Sequence, residues 1–179
     1  AGTDTIVFDD TLDVAEPDNY SLTRQLMTDI FSKTQTAETW MVGHEKIELY
    51  ANGGNNSLSI MPTVAPVLVN AGPGDDNINV EGANVTVVSG AGQDSLSVDG
   101  DMTGSGSHAF VVGPEHLRDL FVGPGGRLTL QSGGSTVLDV GRFFTVMGVL
   151  DITDSRLIHR DSSTQTAQHL RSLLATGRN

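Results

Sequence analysis

Three aspartates in glycine-rich turns are the residues of this chain whose types and spacing could do chemistry. Asp75 and Asp76 follow Gly74, and Asp94 ends a second turn of the same pattern, 18 residues after Asp76. Calcium takes about six to eight oxygen ligands, and carboxylates and backbone carbonyls are its usual donors. The pattern therefore predicts a calcium site formed by Asp75, Asp76 and Asp94 with help from carbonyl groups of the turns.

These aspartates also have a purely structural interpretation. Asp and Asn side chains stabilise turns by hydrogen bonding to their own backbone, and two acidic turns supply few carboxylates for a metal. The acidic pairs Asp9 with Asp10 and Asp99 with Asp101 raise the same question. The sequence leaves calcium binding and turn stabilisation open at these positions.

The acidic turns belong to an internal repeat. Residues 72–80 match residues 90–98 in the pattern Gly-x-Gly-x-Asp-polar-apolar-polar-apolar. A third copy at 52–60 has asparagine in place of both acids, and a fourth copy at 2–8 lacks the leading residues. Glycine allows positive φ, and alternation places the Ile, Leu and Val side chains on one face of a strand. Each copy therefore predicts a tight turn that leads into a short strand.

A repeat of 18 to 20 residues is the length of one coil of a parallel β-helix. Such short strands bury their apolar faces only by stacking in register, and parallel crossovers are nearly always right-handed. The sequence thus predicts an all-β, right-handed, single-stranded parallel β-helix, or β-solenoid, over residues 1–161, with interior ladders of Ile, Leu and Val. The segment between Asp18 and Trp40 breaks the pattern and fits either strands or a helix; we favour strands in an enlarged rung.

The last residues of the chain, 162–179, have a helical pattern. Ser162 offers an N-cap and Gly177 a C-cap. The apolar residues at helical spacing are Ala167, Leu170, Leu173 and Leu174. We expect a short C-terminal α-helix that caps the open end of the solenoid.

Composition excludes several classes of protein. The chain has 22 acidic and 10 basic residues, and its formal net charge of -12 repels nucleic acid and anionic membrane surfaces. It has no cysteine, which excludes disulfides, thiolate nucleophiles and cysteine-ligated metals. Its apolar runs are shorter than the roughly 18 residues of a membrane span, so we expect no membrane insertion.

Catalytic signals are absent from the sequence. The five histidines lack metal-ligand spacing, and the nucleophile-elbow pattern Gly-x-Ser-x-Gly does not occur. Carboxylates on a β-helix could process polysaccharide, but the region from Gly72 to His108 has no Arg or Lys to neutralise an acidic sugar. We therefore predict a protein that is not an enzyme, with a carbohydrate-binding or polysaccharide-processing β-helix as the alternative.

Two family resemblances extend this interpretation. The turns at 72–80 and 90–98 resemble in part the Gly-Gly-x-Gly-x-Asp-x-apolar-x signature of calcium-binding RTX β-rolls, which implies calcium as the cofactor. Residues 4–11, 47–60 and 148–158 are similar to repeat modules of very large secreted bacterial β-helix proteins of the adhesin and surface-protein type. That resemblance implies a structural or adhesive role in a secreted or cell-surface protein. Its partners would be neighbouring modules of a larger chain and a surface polysaccharide or cell-surface protein.

Overall fold

Short β-strands separated by turns form the regular secondary structure of the described part of the chain. The computed structural model describes residues 4–13, 17–22, 26–31, 35–40, 45–63, 65–101, 104, 106–133 and 136–160. The first eight strands are β1 (Thr5–Asp9), β2 (Asn19–Leu22), β3 (Leu26–Phe31), β4 (Gln35–Trp40), β5 (Lys46–Tyr50), β6 (Ser57–Ile60), β7 (Val67–Asn70) and β8 (Asn77–Glu81). The next eight are β9 (Asn84–Val88), β10 (Asp94–Asp99), β11 (Ser107–Val111), β12 (Glu115–Val122), β13 (Gly126–Leu130), β14 (Val137–Val146), β15 (Val149–Asp151) and β16 (Arg156–His159). No helix in these ranges is long and apolar enough to cross a membrane.

The strands alternate between two sheets. The first sheet has the order β1-β5-β7-β9-β11-β13-β15, and the second has the order β16-β14-β12-β10-β8-β6-β2-β3-β4. From β5 onward, each strand of the first sheet is followed by one strand of the second, and neighbouring strands within a sheet are parallel. We call one strand of each sheet, with its turns, a rung. This arrangement confirms the predicted all-β parallel solenoid and gives it two strands per rung.

Aliphatic side chains fill the space between the two sheets. In the second sheet, Leu58, Ile78 and Leu96 pair in register on successive rungs, and each is at most 2% exposed. The first sheet contributes a matching ladder that includes Val69 and Val87. Burying a side chain of this size stabilises the fold by about 1.5–3 kcal/mol. The predicted interior ladders of Ile, Leu and Val are therefore confirmed.

The segment between Asp18 and Trp40 contains the strands β2, β3 and β4, which confirms the prediction of strands there. After β2, the chain forms the antiparallel hairpin of β3 and β4, and β3 also pairs antiparallel with β2. The hairpin extends the second sheet beyond the first rung. Residues 23–25 and 32–34 lie outside the described residues.

One repeat assignment from the sequence is wrong. The copy at 2–8 was expected to match 74–80, but β1 lies in the first sheet and pairs with β5, whereas β6, β8 and β10 lie in the second. The alternating pattern of a short strand is common to both sheets, so it does not specify which sheet a strand joins. The helix predicted over 162–179 lies outside the described residues.

Candidate functional site

The glycine-led turns that connect the first sheet to the second lie directly on one another. We call residues 52–56, 72–76 and 90–94 the turn stack. Gly90 has a φ of +99°, and a Cβ there would lie 1.8 Å from the carbonyl oxygen of Gly72. A Cβ at Gly92 would lie 1.9 Å from the carbonyl oxygen of Gly74. Only glycine permits this approach of backbone to backbone, which explains the repeated Gly-x-Gly.

A buried column of polar side chains runs along the inner side of the turn stack. The backbone N–H of Asn56 donates to Oδ1 of Asp76 at 2.7 Å, and the N–H of Asp76 donates to Oδ1 of Asp94 at 2.9 Å. The N–H of Asp18 donates in the same way to Oδ1 of Asn56 at 3.1 Å. Each of these residues is at most 3% exposed. The column therefore links four consecutive rungs through side-chain acceptors.

An exposed column runs beside it in the opposite direction. The N–H of Asp75 donates to Oδ1 of Asn55 at 2.8 Å, and the N–H of Gln93 donates to Oδ1 of Asp75 at 2.9 Å. In both columns the acceptor serves the backbone of a neighbouring rung, whereas the sequence suggested bonds to the residue's own turn. The three predicted metal ligands consequently divide: Asp76 and Asp94 are adjacent and buried, and Asp75 is exposed.

The two buried aspartates each keep one oxygen without a partner. Oδ2 of Asp76 and Oδ2 of Asp94 are buried and accept no hydrogen bond from the described residues. Burial raises the pKa of Asp76 to about 7; the N–H of Asn56 opposes that rise, while the nearby Asp94 carboxylate adds to it. Burial also raises the pKa of Asp94, and the N–H of Asp76 opposes that rise. These oxygens suit a proton or a cation.

Glu115 is a further buried acid, and it was not among the residues singled out from the sequence. The Ser89 hydroxyl and the Ser89 N–H both donate to Oε2 of Glu115, the latter at 3.2 Å. Burial raises the pKa of Glu115 to about 7, and the Asp94 carboxylate contributes to the rise. Glu115 begins β12 outside any glycine-rich turn, so the repeat gave no signal for it.

A second acidic group lies in the first rung. Carboxylate oxygens of Asp10, Asp13 and Asp18 lie within 4.8 Å of one another. The Tyr20 hydroxyl donates to Asp10 at 2.6 Å, and the Asn52 amide donates to Asp18 at 2.6 Å. Burial raises the pKa of Asp10, while the Tyr20 hydrogen bond lowers it. The group therefore has protein donors of its own.

Asp9 and Asp99, from the other acidic pairs named from the sequence, also accept hydrogen bonds from backbone N–H groups. Asp9 accepts from the N–H and hydroxyl of Thr11, at 3.1 and 2.7 Å. Asp99 accepts from the N–H groups of Gly100 and Gly125, at 2.8 and 3.2 Å. Asp9 thus serves its own turn, whereas Asp99 accepts from its own turn and from Gly125, 26 residues later.

Three arginines form a line on the outer face of the second sheet. They are Arg118, Arg142 and Arg160, and we call them the arginine ladder. Arg142 makes a two-point ion pair with Asp119, with Nε to Oδ1 at 3.0 Å and Nη2 to Oδ2 at 2.9 Å. Arg160 donates to the carboxylate of Asp139 through Nε at 2.8 Å and through Nη2. The pKa of Asp119 is lowered chiefly by Arg142, and that of Asp139 chiefly by Arg160.

The described geometry thus contains a buried acidic column and an exposed line of arginines on one solenoid. In comparisons with known proteins, no family model, no curated protein and no solved structure matched the chain. What the two features do is therefore argued from their own geometry.

Proposed function

We propose that the chain is a non-catalytic structural and adhesive module of a secreted or surface-attached bacterial repeat protein. The observation that carries the proposal is the linkage between rungs. An uninterrupted aliphatic interior and the polar columns of the turn stack join each rung to the next. In a solenoid of this kind, stability comes from the contacts between neighbouring repeats. The proposal includes right-handed winding, in keeping with the general rule for parallel crossovers.

Calcium is the proposed cofactor of the acidic turns. The fit rests on Oδ2 of Asp76 and Oδ2 of Asp94, which are buried oxygens with no hydrogen-bond partner in the described residues. A bound calcium ion would supply positive charge beside these two carboxylates. Asp75 is exposed one residue away and would add negative charge at the same turn.

Thermal melting in calcium and in chelator tests the cofactor. We expect calcium to raise the melting temperature of the native chain and to give a calorimetric binding signal. The variant Asp76→Asn/Asp94→Asn places asparagine where the third repeat already has Asn56, so it should fold and should lose the calcium response. Asp151→Asn, which changes an acid in the first sheet, is the matched control and should keep the response. An unchanged melting temperature of the native chain would remove calcium from the proposal.

Incubation with a panel of neutral and acidic polysaccharides tests the non-catalytic part. We expect the polymers to keep their length when they are followed by size-exclusion chromatography. Steady release of shorter chains, in proportion to protein concentration, would instead support the second candidate, a polysaccharide-processing β-helix. The second candidate also includes carbohydrate binding without cleavage, and the arginine ladder favours that form of it.

A further inference from the structure

We infer that the arginine ladder is a binding site for an acidic polysaccharide whose carboxylates or sulfates repeat along the polymer. The inference deepens the adhesive part of the proposed function and rests on it. It is carried by the placement of the three arginines, the way their guanidinium groups are held, and the charge and shape of the surface around them.

The three arginines lie on consecutive rungs at equivalent positions. Leu117 pairs with Val140, and Val140 pairs with His159, in the parallel register of β12, β14 and β16. Each of these residues is followed by a member of the ladder: Arg118 directly, Arg142 after Gly141, and Arg160 directly. Neighbouring strands are about 4.7–4.9 Å apart, which is close to the length that one sugar ring adds to a polysaccharide. The ladder therefore presents cationic groups at roughly the repeat of a sugar chain.

Two register shifts turn these side chains outward. In the pairing of β10 with β12, Asp94 pairs with Leu117 but Ser95 pairs with Asp119. Arg118 is therefore an extra residue in β12. β14 shifts again, so that Gly141 and Arg142 lie opposite Arg118. Bulges of this kind redirect side chains, and they are common beside functional sites.

One edge of each guanidinium group, formed by Nε and Nη2, is fixed by hydrogen bonds to neighbouring side chains. Arg118 donates through Nε to Asp119 at 2.9 Å and through Nη2 to the Ser95 hydroxyl at 2.8 Å. Arg142 and Arg160 also use Nε and Nη2. In the part of the chain that the structure describes, Nη1 of each arginine makes no hydrogen bond. A guanidinium fork held in place and still able to donate is suited to carboxylate and sulfate oxygens.

Charge and shape agree with an extended anion. The three arginines of the ladder outnumber the two aspartates that they pair with, Asp119 and Asp139, although the whole chain carries a net charge of -12 and has no Lys or Arg between Lys46 and Arg118. The ladder lines an open groove of about 410 Å³ together with Gln93 and His116. A single small anion would engage only part of the line. An acidic polysaccharide uses all three rungs.

Calorimetry with polygalacturonate, a polymer with one carboxylate per sugar, tests the inference. We expect binding that weakens as salt rises, and no binding of the neutral polymer dextran. Arg142→Gln should weaken binding about tenfold or more, because a charge-assisted hydrogen-bonding group is lost. Arg127→Gln, on the first sheet, is the control and should bind as the native chain does. Melting curves confirm that each variant is folded.

The outcomes separate the inference from the proposed function. Equal binding of dextran, or full affinity in Arg142→Gln, overturns the arginine site and leaves the structural role intact. Tighter binding of polyglutamate than of polygalacturonate assigns the groove to an acidic protein segment and also overturns the inference. Binding accompanied by shortening of the polymer overturns the non-catalytic role while supporting the arginine site. If Arg142→Gln is unfolded, Arg142→Lys keeps the charge but loses the planar guanidinium group, and unchanged affinity there overturns recognition by fixed guanidinium groups.

Discussion

The backbone N–H of Asp76 donates a 2.9 Å hydrogen bond to the carboxylate of Asp94, which lies 18 residues later and one rung farther along the solenoid. The Asp94 side chain therefore connects two rungs and does more than stabilise its own turn. A substitution that removes such a side chain should therefore leave a backbone N–H of the preceding rung without its acceptor.

Loss of a member of the buried column should be costly. In Asn56→Ala, the N–H of Asp18 loses its acceptor, and the carbonyls of Asn52 and Ala71 lose an amide donor. We expect the free energy of unfolding to fall by about 2–3 kcal/mol, because buried polar groups lose partners. Asn55→Ala removes an acceptor from the exposed column and should cost less than about 1 kcal/mol, since water replaces it. Urea titration of both variants measures the difference, and equal losses would contradict the role of burial.

The stability of the native chain should depend on pH through Glu115. Burial raises the pKa of Glu115 from the ordinary 4.5 to about 7, so the folded chain binds more protons than the unfolded chain between those values. The stabilisation is complete below about pH 4.5 and is lost as pH rises through about 7. Glu115→Gln, which can still accept from Ser89, should raise stability near pH 8 by up to about 3 kcal/mol and flatten the pH dependence.

Urea titrations from about pH 5 to pH 8 check this prediction. Glu48→Gln is the control, because the bond from Lys46 lowers the pKa of Glu48 and its stabilisation is lost only as pH falls toward the acid range. If the native chain became more stable between about pH 6 and pH 8 in the absence of calcium, the expected direction of the pH dependence would be wrong. The buried Asp76 contributes in the same direction as Glu115, so the variant should flatten the curve without abolishing its slope.

Two glycine-to-alanine substitutions should distinguish the cost of a positive φ from the cost of a clash with the neighbouring backbone. Gly90→Ala places a Cβ against the carbonyl oxygen of Gly72, so the stacked turns must move apart. Gly113 has a similar φ of +87°, but a Cβ there meets no atom within 4 Å. We expect Gly113→Ala to cost about 1–2 kcal/mol from φ alone and Gly90→Ala to cost about 3 kcal/mol or more. Thermal melting compares them, and equal costs would exclude the backbone clash.

The interior ladder should tolerate truncation poorly. Ile78 is fully buried between Leu58 and Leu96, so Ile78→Ala removes apolar contacts from three rungs. We expect a loss of about 2–5 kcal/mol, from lost burial and the cavity left behind. Phe143→Ala is the control, since that side chain is 58% exposed and should lose little. A small loss at Ile78 would show that the rungs collapse around the missing atoms.

The fold could be predicted from the sequence because the repeated turns need glycine at fixed positions, so the repeat is visible in the sequence. The Gly-x-Gly-x-Asp turn recurs after 18 residues, and its glycines are kept because a Cβ at Gly90 or Gly92 would overlap the preceding rung. The alternation that follows gave the interior ladder. The same alternation could not assign β1 to a sheet, because strands of both sheets share it.

The sites were accessible only in part. Asp76 and Asp94 were expected to be neighbours and are, but the division between buried Asp76 and exposed Asp75 depends on the orientation of each side chain in the turn. The arginine ladder was missed for a different reason. Its members are separated by 24 and then 18 residues, because the rung from Leu117 to Val140 is itself 23 residues long and the register shift adds one more.

The hairpin of β3 and β4 makes the two ends of the second sheet different. β3 occupies the edge of β2 that faces away from β6, and it runs antiparallel. Strand edges with unpaired backbone groups recruit further strands. Because β3 pairs with β2 on that side, the backbone groups of β2 that a further parallel rung would use are already taken by the chain's own hairpin.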